Sequence, residues 1–223
     1  MSIDTDAKAS APEHTEPMGL RESKKRETRQ LISDHATRLF IERGFEKTTI
    51  AEIAAAARVA KKTVTNYFPR KEDLALDHQD EFIASLARTV ASRDSGESAL
   101  SALRRAFEAA VAAQDPVCGF AGPEFSRMIA DSPTLSVCLR GLHDQREEAL
   151  ADALAEATGS TADDITTRTA AALFGAVQRT LFRRIQDLTL AGRTNPEIAG
   201  IVGEEAARAF DVLEPALADY AVA

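Results

Sequence analysis

The stretch from Thr48 to Pro69 limits what this chain can fold into more than any other. Thr49 is followed three residues later by Glu52, the spacing of a capping box in which hydroxyl and carboxylate each satisfy an orphan amide. That predicts a helix from Ile50 to about Ala57. A break at Arg58-Val59-Ala60 precedes a second helix from Lys61 to about Phe68, and Pro69 stops it because proline offers no amide donor. Helices this short are not stable alone, so they must cross each other within one small core. Ile53 supplies an apolar anchor and Ala54 is small enough to let the second helix cross; Ala57, Val59, Val64 and Tyr67 or Phe68 fill the inner positions. This is helix-turn-helix geometry. It leaves Lys61, Lys62, Thr63, Thr65, Asn66 and part of Tyr67 facing outward, a set of donors and acceptors with no acidic member. Such a face can enter a major groove and meet base edges or phosphates.

The rest of the chain is expected to be all-α. Apolar residues recur three and four apart and strand-like alternation is absent. Leu31, Ile32, Ala36, Leu39 and Phe40 mark one face of a first helix that ends at Gly44, with Arg21, Lys24, Lys25, Arg26 and Arg29 at its start. A fourth helix is expected from Lys71 to near Ser95, carrying Leu74, Leu76, Phe82, Ile83, Leu86 and Val90. Further helices fall at about 98–113, 121–130, 134–157, 163–188 and 196–213, separated by Asp115-Pro116, Ser132-Pro133, Gly159-Ser160 and Asn195-Pro196. Residues 1–20 hold few sizeable apolar side chains and are expected to be a disordered arm. The domain expectation is then 21–70 for the helix-turn-helix unit and 71–223 for a helical body.

Charge separates along the same boundaries. Residues 21–72 carry 13 Lys/Arg against 7 Asp/Glu, whereas residues 73–223 carry 13 against 24. A basic unit on an acidic body fits one part that meets phosphate and another that phosphate repels. Cys118 and Cys138 match neither a disulfide framework nor a zinc site, and are expected to be free thiols without a redox role. His14, His35, His78 and His143 are scattered, so no metal site is expected. No Gly-rich phosphate loop, nucleophile elbow or paired histidine argues for an enzyme. No apolar run approaches the roughly 18 residues of a membrane span, and no signal-peptide core is present, which predicts a cytoplasmic protein.

The N-terminal motifs resemble the DNA-binding domain of the TetR family of bacterial transcriptional regulators. The residues that carry the resemblance are Leu39-Phe40, Arg43-Gly44-Phe45, Thr48-Thr49-Ile50, Ile53-Ala54, Val59, Thr63-Val64, Asn66-Tyr67-Phe68-Pro69 and Lys71-Glu72-Asp73-Leu74. The resemblance implies an N-terminal three-helix DNA-binding domain and a C-terminal helical domain for ligand binding and dimerisation. It implies base or phosphate contacts from Lys61, Lys62, Thr63, Thr65, Asn66 and Tyr67, phosphate contacts from Thr49 and Lys71, and a palindromic operator on double-stranded DNA. Two positions depart from the family pattern. Arg58 stands where glycine is usual, and a side chain at positive φ costs roughly 1–2 kcal/mol. Ala60 stands where Ser or Thr usually caps the next helix, a loss of about 1 kcal/mol.

The last two long helices carry broad apolar stripes: Ile165, Ala172, Leu173, Ala176, Val177, Leu181, Ile185 and Leu188 on one, Ile198, Ile201, Val202, Ala209, Phe210, Leu213 and Leu217 on the other. Such stripes suit a four-helix interface in a homodimer. Phe107, Phe125, Met128, Leu139 and Phe174 are candidates to line an effector cavity, with His143, Arg146 and Gln178 as its polar groups; aromatics at helical spacing serve equally as plain core. A repressor released by a small, mostly apolar molecule is the expected function. The alternatives are a DNA-binding regulator without a small-molecule effector, constitutive or governed by a protein partner, and a helical enzyme that retains a DNA-binding unit.

Overall fold

The computed structural model describes residues 19–223, so the arm expected over the first twenty residues lies, up to Met18, outside the described residues. The described residues form eleven α-helices and a short 3-10 turn, with no strand. α1 runs Leu20–Arg43 and ends where Gly44 takes φ +84 while its amide bonds the Phe40 carbonyl at 2.9 Å. Ile32, Ala36, Leu39 and Phe40 are buried, at the spacing of a single helix face. Leu31, expected on that face, is 45% exposed, because the stripe is only wide enough for its neighbour Ile32.

α2 (Ile50–Ala56) and α3 (Lys61–Tyr67) cross at the expected place and share a core with α1. Phe40, Ile53, Val64, Phe68 and Leu74 are almost fully buried there. The fourth helix is not continuous: α4 covers Glu72–Ala75, α5 covers Gln79–Ala91, and Leu76 leaves helical dihedrals at φ −118 and ψ 47. The break places the Asp77 carboxylate against the Ser33 hydroxyl at 2.6 Å, tying the link to α1. Apolar residues on both sides of the break are buried, so hydropathy runs through it unchanged.

The C-terminal body comprises α6 (Ala99–Ala112), the 3-10 turn Pro116–Cys118, α7 (Pro123–Asp131), α8 (Pro133–Thr158), α9 (Ile165–Leu190), α10 (Asn195–Asp211) and α11 (Glu214–Leu217). α8, α9 and α10 start at recognisable side-chain caps. Ser132 accepts from the Leu135 amide at 3.1 Å, Asp164 accepts from the amides of Thr166 and Thr167, and Thr194 with Glu197 closes a capping box. α8 packs on α5 and α9, and α10 on α6 and α9. Leu103, Phe107, Leu150, Leu154, Phe174, Ile185 and Phe210 fill the space between them.

The stripes on α9 and α10 divide. Leu181, Ile185, Leu188, Ile198, Val202, Phe210, Leu213 and Leu217 are buried within the single chain and are not available to a partner. Ile165 at 75% exposed, Leu173 at 37% and Val212 at 76% lie on the outer side instead. No helix among the described residues is long and apolar enough to cross a membrane.

Candidate nucleic-acid interface and effector cavity

α2 opens as its sequence dictates. Thr49 accepts from the Glu52 amide at 3.3 Å, while the Glu52 carboxylate accepts from both the amide and the hydroxyl of Thr49 at 2.8 Å. These bonds, with a contact to Arg43 at 3.3 Å, lower the Glu52 pKa. The turn to α3 is a Schellman motif: the Val59 amide bonds the Ala54 carbonyl at 3.0 Å and the Arg58 amide bonds the Ala55 carbonyl at 3.2 Å. Its left-handed position is Arg58, at φ +55. Ala60 gives α3 no side-chain cap.

On α3, Val64 points inward, Lys61, Lys62 and Asn66 are exposed, and Thr63, Thr65 and Tyr67 are half-buried beside them. The Thr65 hydroxyl donates to the Lys62 carbonyl at 3.1 Å, which leaves its lone pairs for an outside donor. α3 is braced from α1 by Arg29, whose guanidinium donates to the Tyr67 carbonyl at 3.0 Å and lies 4.2 Å over the Phe68 ring. Lys71 is half-buried and acts as a staple: its ammonium donates to the Phe45 and Thr48 carbonyls at 2.8 and 3.1 Å and sits 4.1 Å over the Phe45 ring. Two of its three protons are therefore engaged within the chain, leaving one for a phosphate.

A cavity of about 520 Å³ lies where this unit meets the body. Phe82, Phe120, Phe125, Met128, Leu142 and Phe182 give it apolar walls, and Asp77, His78 and Asp115 add polar groups. Thr37 of α1 and the Ala75–His78 link also face it, so it touches both halves of the chain. Of the residues expected to line it, Phe125, Met128 and Leu139 do. Phe107, Phe174 and Gln178 do not: Phe107 and Phe174 belong to the buried core of the body, Phe107 packs 6.1 Å from Phe210, and Gln178 is buried away from the cavity.

His143 and Arg146 stand behind the wall. The His143 ring meets Phe82 and Phe182 edge-on, with centroids 5.0 and 5.2 Å apart, and borders a second recess with Arg179 and Arg183. Burial, helped by Arg146, Arg179 and Arg183, pushes its pKa down to about 4. Arg146 lies 4.5 Å over the Phe82 ring and donates from Nε to the Ser85 hydroxyl at 2.9 Å. Cys118 and Cys138 are free, and burial raises the Cys118 pKa to about 12, which leaves it a thiol rather than a reactive thiolate. Among the described residues no group of His, Cys, Asp and Glu can hold a metal ion.

Three features escape sequence reasoning: the Arg29 brace, the Phe82 and Phe182 walls, and a contact between Glu46 and Ser132. None has a local signal, because each is a side chain meeting a partner far along the chain.

Residues 32–77 match the family model for bacterial regulatory proteins of the tetR family. The chain is 29% identical, over 97% of its length and 95% of the relative's, to the HTH-type transcriptional regulator TcmR of Streptomyces glaucescens. It is 36% identical over 64 residues, 29% of this chain and 32% of the relative, to the HTH-type transcriptional repressor DhaR of Mycobacterium sp. strain GP1. Among solved structures, a TetR-family regulator from Syntrophomonas wolfei superposes with a TM-score of 0.56 at 20% identity, covering 84% of this chain and 96% of that one. SmeT in complex with triclosan also gives a TM-score of 0.56, at 18% identity, covering 88% and 95%.

Proposed function

We propose that this chain, a DNA-binding transcriptional regulator of the TetR family, is a cytoplasmic repressor whose homodimer holds a palindromic operator and releases it when a small, mostly apolar molecule fills the cavity. The observation that carries this reading is the position of the cavity: its wall includes Thr37 and the Ala75–His78 link, so an occupant bears directly on the unit that presents α3. An effector that fits better when the two DNA-binding units are wrongly spaced weakens operator binding by the factor by which operator weakens the effector.

Two supports stand beside it. Lys61, Lys62 and Asn66 form an exposed face with Thr63, Thr65 and Tyr67 alongside, suited to phosphates and base edges. The outer side of α9 and α10 leaves Ile165, Leu173 and Val212 exposed with the small residues Ala176, Gly200 and Ala207, which lets a second copy approach closely. In the operator complex, Thr49 and the remaining proton of Lys71 meet phosphate.

The test is selection of bound duplexes from randomised DNA, followed by release of the selected sequence with compounds found by thermal shift. A two-fold symmetric motif and release by apolar compounds are expected. No enriched motif, or stabilising compounds that leave DNA affinity unchanged, would overturn the reading.

A further inference from the structure

Asp77 and Asp115 are half-buried carboxylates on the lining of the cavity, and neither has a lysine or arginine within ion-pair distance among the described residues. Carboxylates at least as shielded elsewhere in the chain are answered by arginine: Asp73 by Arg70 at 2.9 Å, Glu97 by Arg105 at 2.8 Å, Glu147 by Arg179 at 2.6 Å and Glu205 by Arg184 at 2.9 Å. A partly desolvated charge without a counter-charge is costly, and folded chains normally supply one.

Each of the two is fixed on one oxygen by a neutral donor. The Ser33 hydroxyl holds Asp77 Oδ2 at 2.6 Å, and the Val117 amide holds Asp115 Oδ1 at 2.8 Å. The second oxygen of each takes no hydrogen bond among the described residues. Nothing on the cavity lining supplies the missing charge: it holds no lysine or arginine, and His78, 80% exposed, stays 3.8 Å from Asp77. Glu81 adds a third carboxylate to the lining, with Arg88 4.0 Å from it. Arg146 lies behind the Phe82 ring and off the lining; its charge acts on Asp115 from there without an ion pair and offsets one carboxylate at most. The lining therefore keeps a negative excess among apolar walls, and the rings of Phe82, Phe120, Phe125 and Phe182 are groups whose faces attract cations.

We infer that the effector is an organic cation, an apolar body bearing one ammonium group, and that the carboxylates of Asp77 and Asp115 are its counter-charge on the cavity lining. This rests on the reading of the cavity as the effector site. The apolar body supplies affinity by burial, while the ammonium group sets orientation through the free carboxylate oxygens. Because Asp77 also ties the α4–α5 link to Ser33 of α1, a cation drawn to it acts on the helix whose Arg29 braces α3.

The test uses three dansyl probes of one body and different charge: cationic dansylcadaverine, neutral N-pentyl dansylamide and anionic dansyl-aminohexanoate. The chain has no tryptophan, so Phe125→Trp or Leu139→Trp places one donor in the cavity wall, and energy transfer to each probe reports binding there. In both backgrounds the cationic probe is expected to bind about tenfold or more tighter than the neutral one, the scale of a charge-assisted pair, and the anionic probe weakest. Asp77→Asn and Asp115→Asn keep the side-chain oxygens that accept from Ser33 and Val117 but remove the charge. Each should reduce the preference, and the double variant should bring dansylcadaverine down to the affinity of the neutral probe. Equal binding of the probes, tighter binding of the anion, or a preference that survives the double variant overturns the inference and leaves the cavity reading intact. An equal loss of all three probes in the double variant means purely structural carboxylates and also overturns it. Failure of the neutral probe to transfer energy from either tryptophan overturns the cavity reading, and the inference with it.

Discussion

The Glu46 carboxylate accepts a hydrogen bond from the Ser132 hydroxyl at 2.6 Å, joining the α1–α2 loop of the DNA-binding unit to the start of α8. That bond, with one from Thr134, lowers the Glu46 pKa, so the contact is intact at neutral pH and is lost only as pH falls through that lowered value. Ser132 follows α7, whose Phe125 and Met128 face the cavity. A shift of α7 therefore reaches Glu46 within one residue of the helix end. Glu46→Ala should leave operator affinity without effector within about twofold, yet reduce several-fold the loss of affinity that effector causes, within the range of mutational effects on coupling. Fluorescence anisotropy with and without effector measures both. A variant with undiminished release would place the coupling elsewhere.

Arg58 holds φ +55 at the left-handed residue of the Schellman turn, where glycine carries no penalty. Arg58→Gly should stabilise the chain by about 1 kcal/mol. Thermal unfolding of the free protein should show a higher Tm, while DNA binding should weaken if the exposed Arg58 side chain also meets a phosphate. A lower Tm would show that the arginine side chain stabilises the turn by a contact stronger than the strain.

How far the sequence revealed this depends on the range of each signal. The α2 capping box and the stop at Pro69 were legible because such signals act on amides only a few residues away, and the breakers Ser132-Pro133, Gly159-Ser160 and Asn195-Pro196 located the starts of α8, α9 and α10 to within two residues. Periodicity gave the helical faces but not their partners. Leu181 and Phe210 read as interface, yet their faces close on α6, α8 and each other's helices within the chain. Phe107 and Phe174 read as cavity candidates and are core, while Phe82, read only as part of an apolar helix face, lines the cavity, since an aromatic at helical spacing looks the same in both places. The α4–α5 break was invisible beneath an unbroken apolar pattern. Arg29 and Glu46 find partners 38 and 86 residues away, beyond any local signal.

The exposed α3 side chains are expected to divide by what each meets on DNA. Lys61→Ala should weaken all duplexes about equally and reduce the salt dependence of binding by roughly one counterion, whereas Asn66→Ala should cost about 1–3 kcal/mol on the operator and little on random DNA. Lys71→Ala should weaken every duplex too, but with a fall in Tm, because it removes the staple on the Phe45 and Thr48 carbonyls. Titrations on operator and random DNA at two salt concentrations distinguish these. An Asn66 variant that loses both duplexes equally would assign it to phosphate.

Exposure separates the proposed dimer interface from the core on α9 and α10. Leu173→Glu places a charge on the outer stripe and should give folded monomers with nearly unchanged helicity. Phe210→Glu, at a position with no exposure, buries an unpaired carboxylate and should unfold the chain at any concentration. Light scattering with circular dichroism checks both. A dimer undisturbed by Leu173→Glu would move the interface off this face.

His143 makes stability depend on pH in a direction set by its burial. Its folded pKa is about 4, below the ordinary value of roughly 6.5 in the unfolded chain. Between those values the unfolded state binds a proton that the folded state refuses, so stability rises with pH through this window and the full contribution is present above its upper end. Lowering pH across the whole window should cost up to roughly 3 kcal/mol, at 1.36 kcal/mol per pH unit. Urea unfolding at pH 7.5, 6 and 5 measures the slope. His143→Leu should flatten it, because leucine fills the space between Phe82 and Phe182 without a group to protonate. If the variant keeps the wild-type slope between pH 7.5 and 5, His143 is not the group being protonated on unfolding.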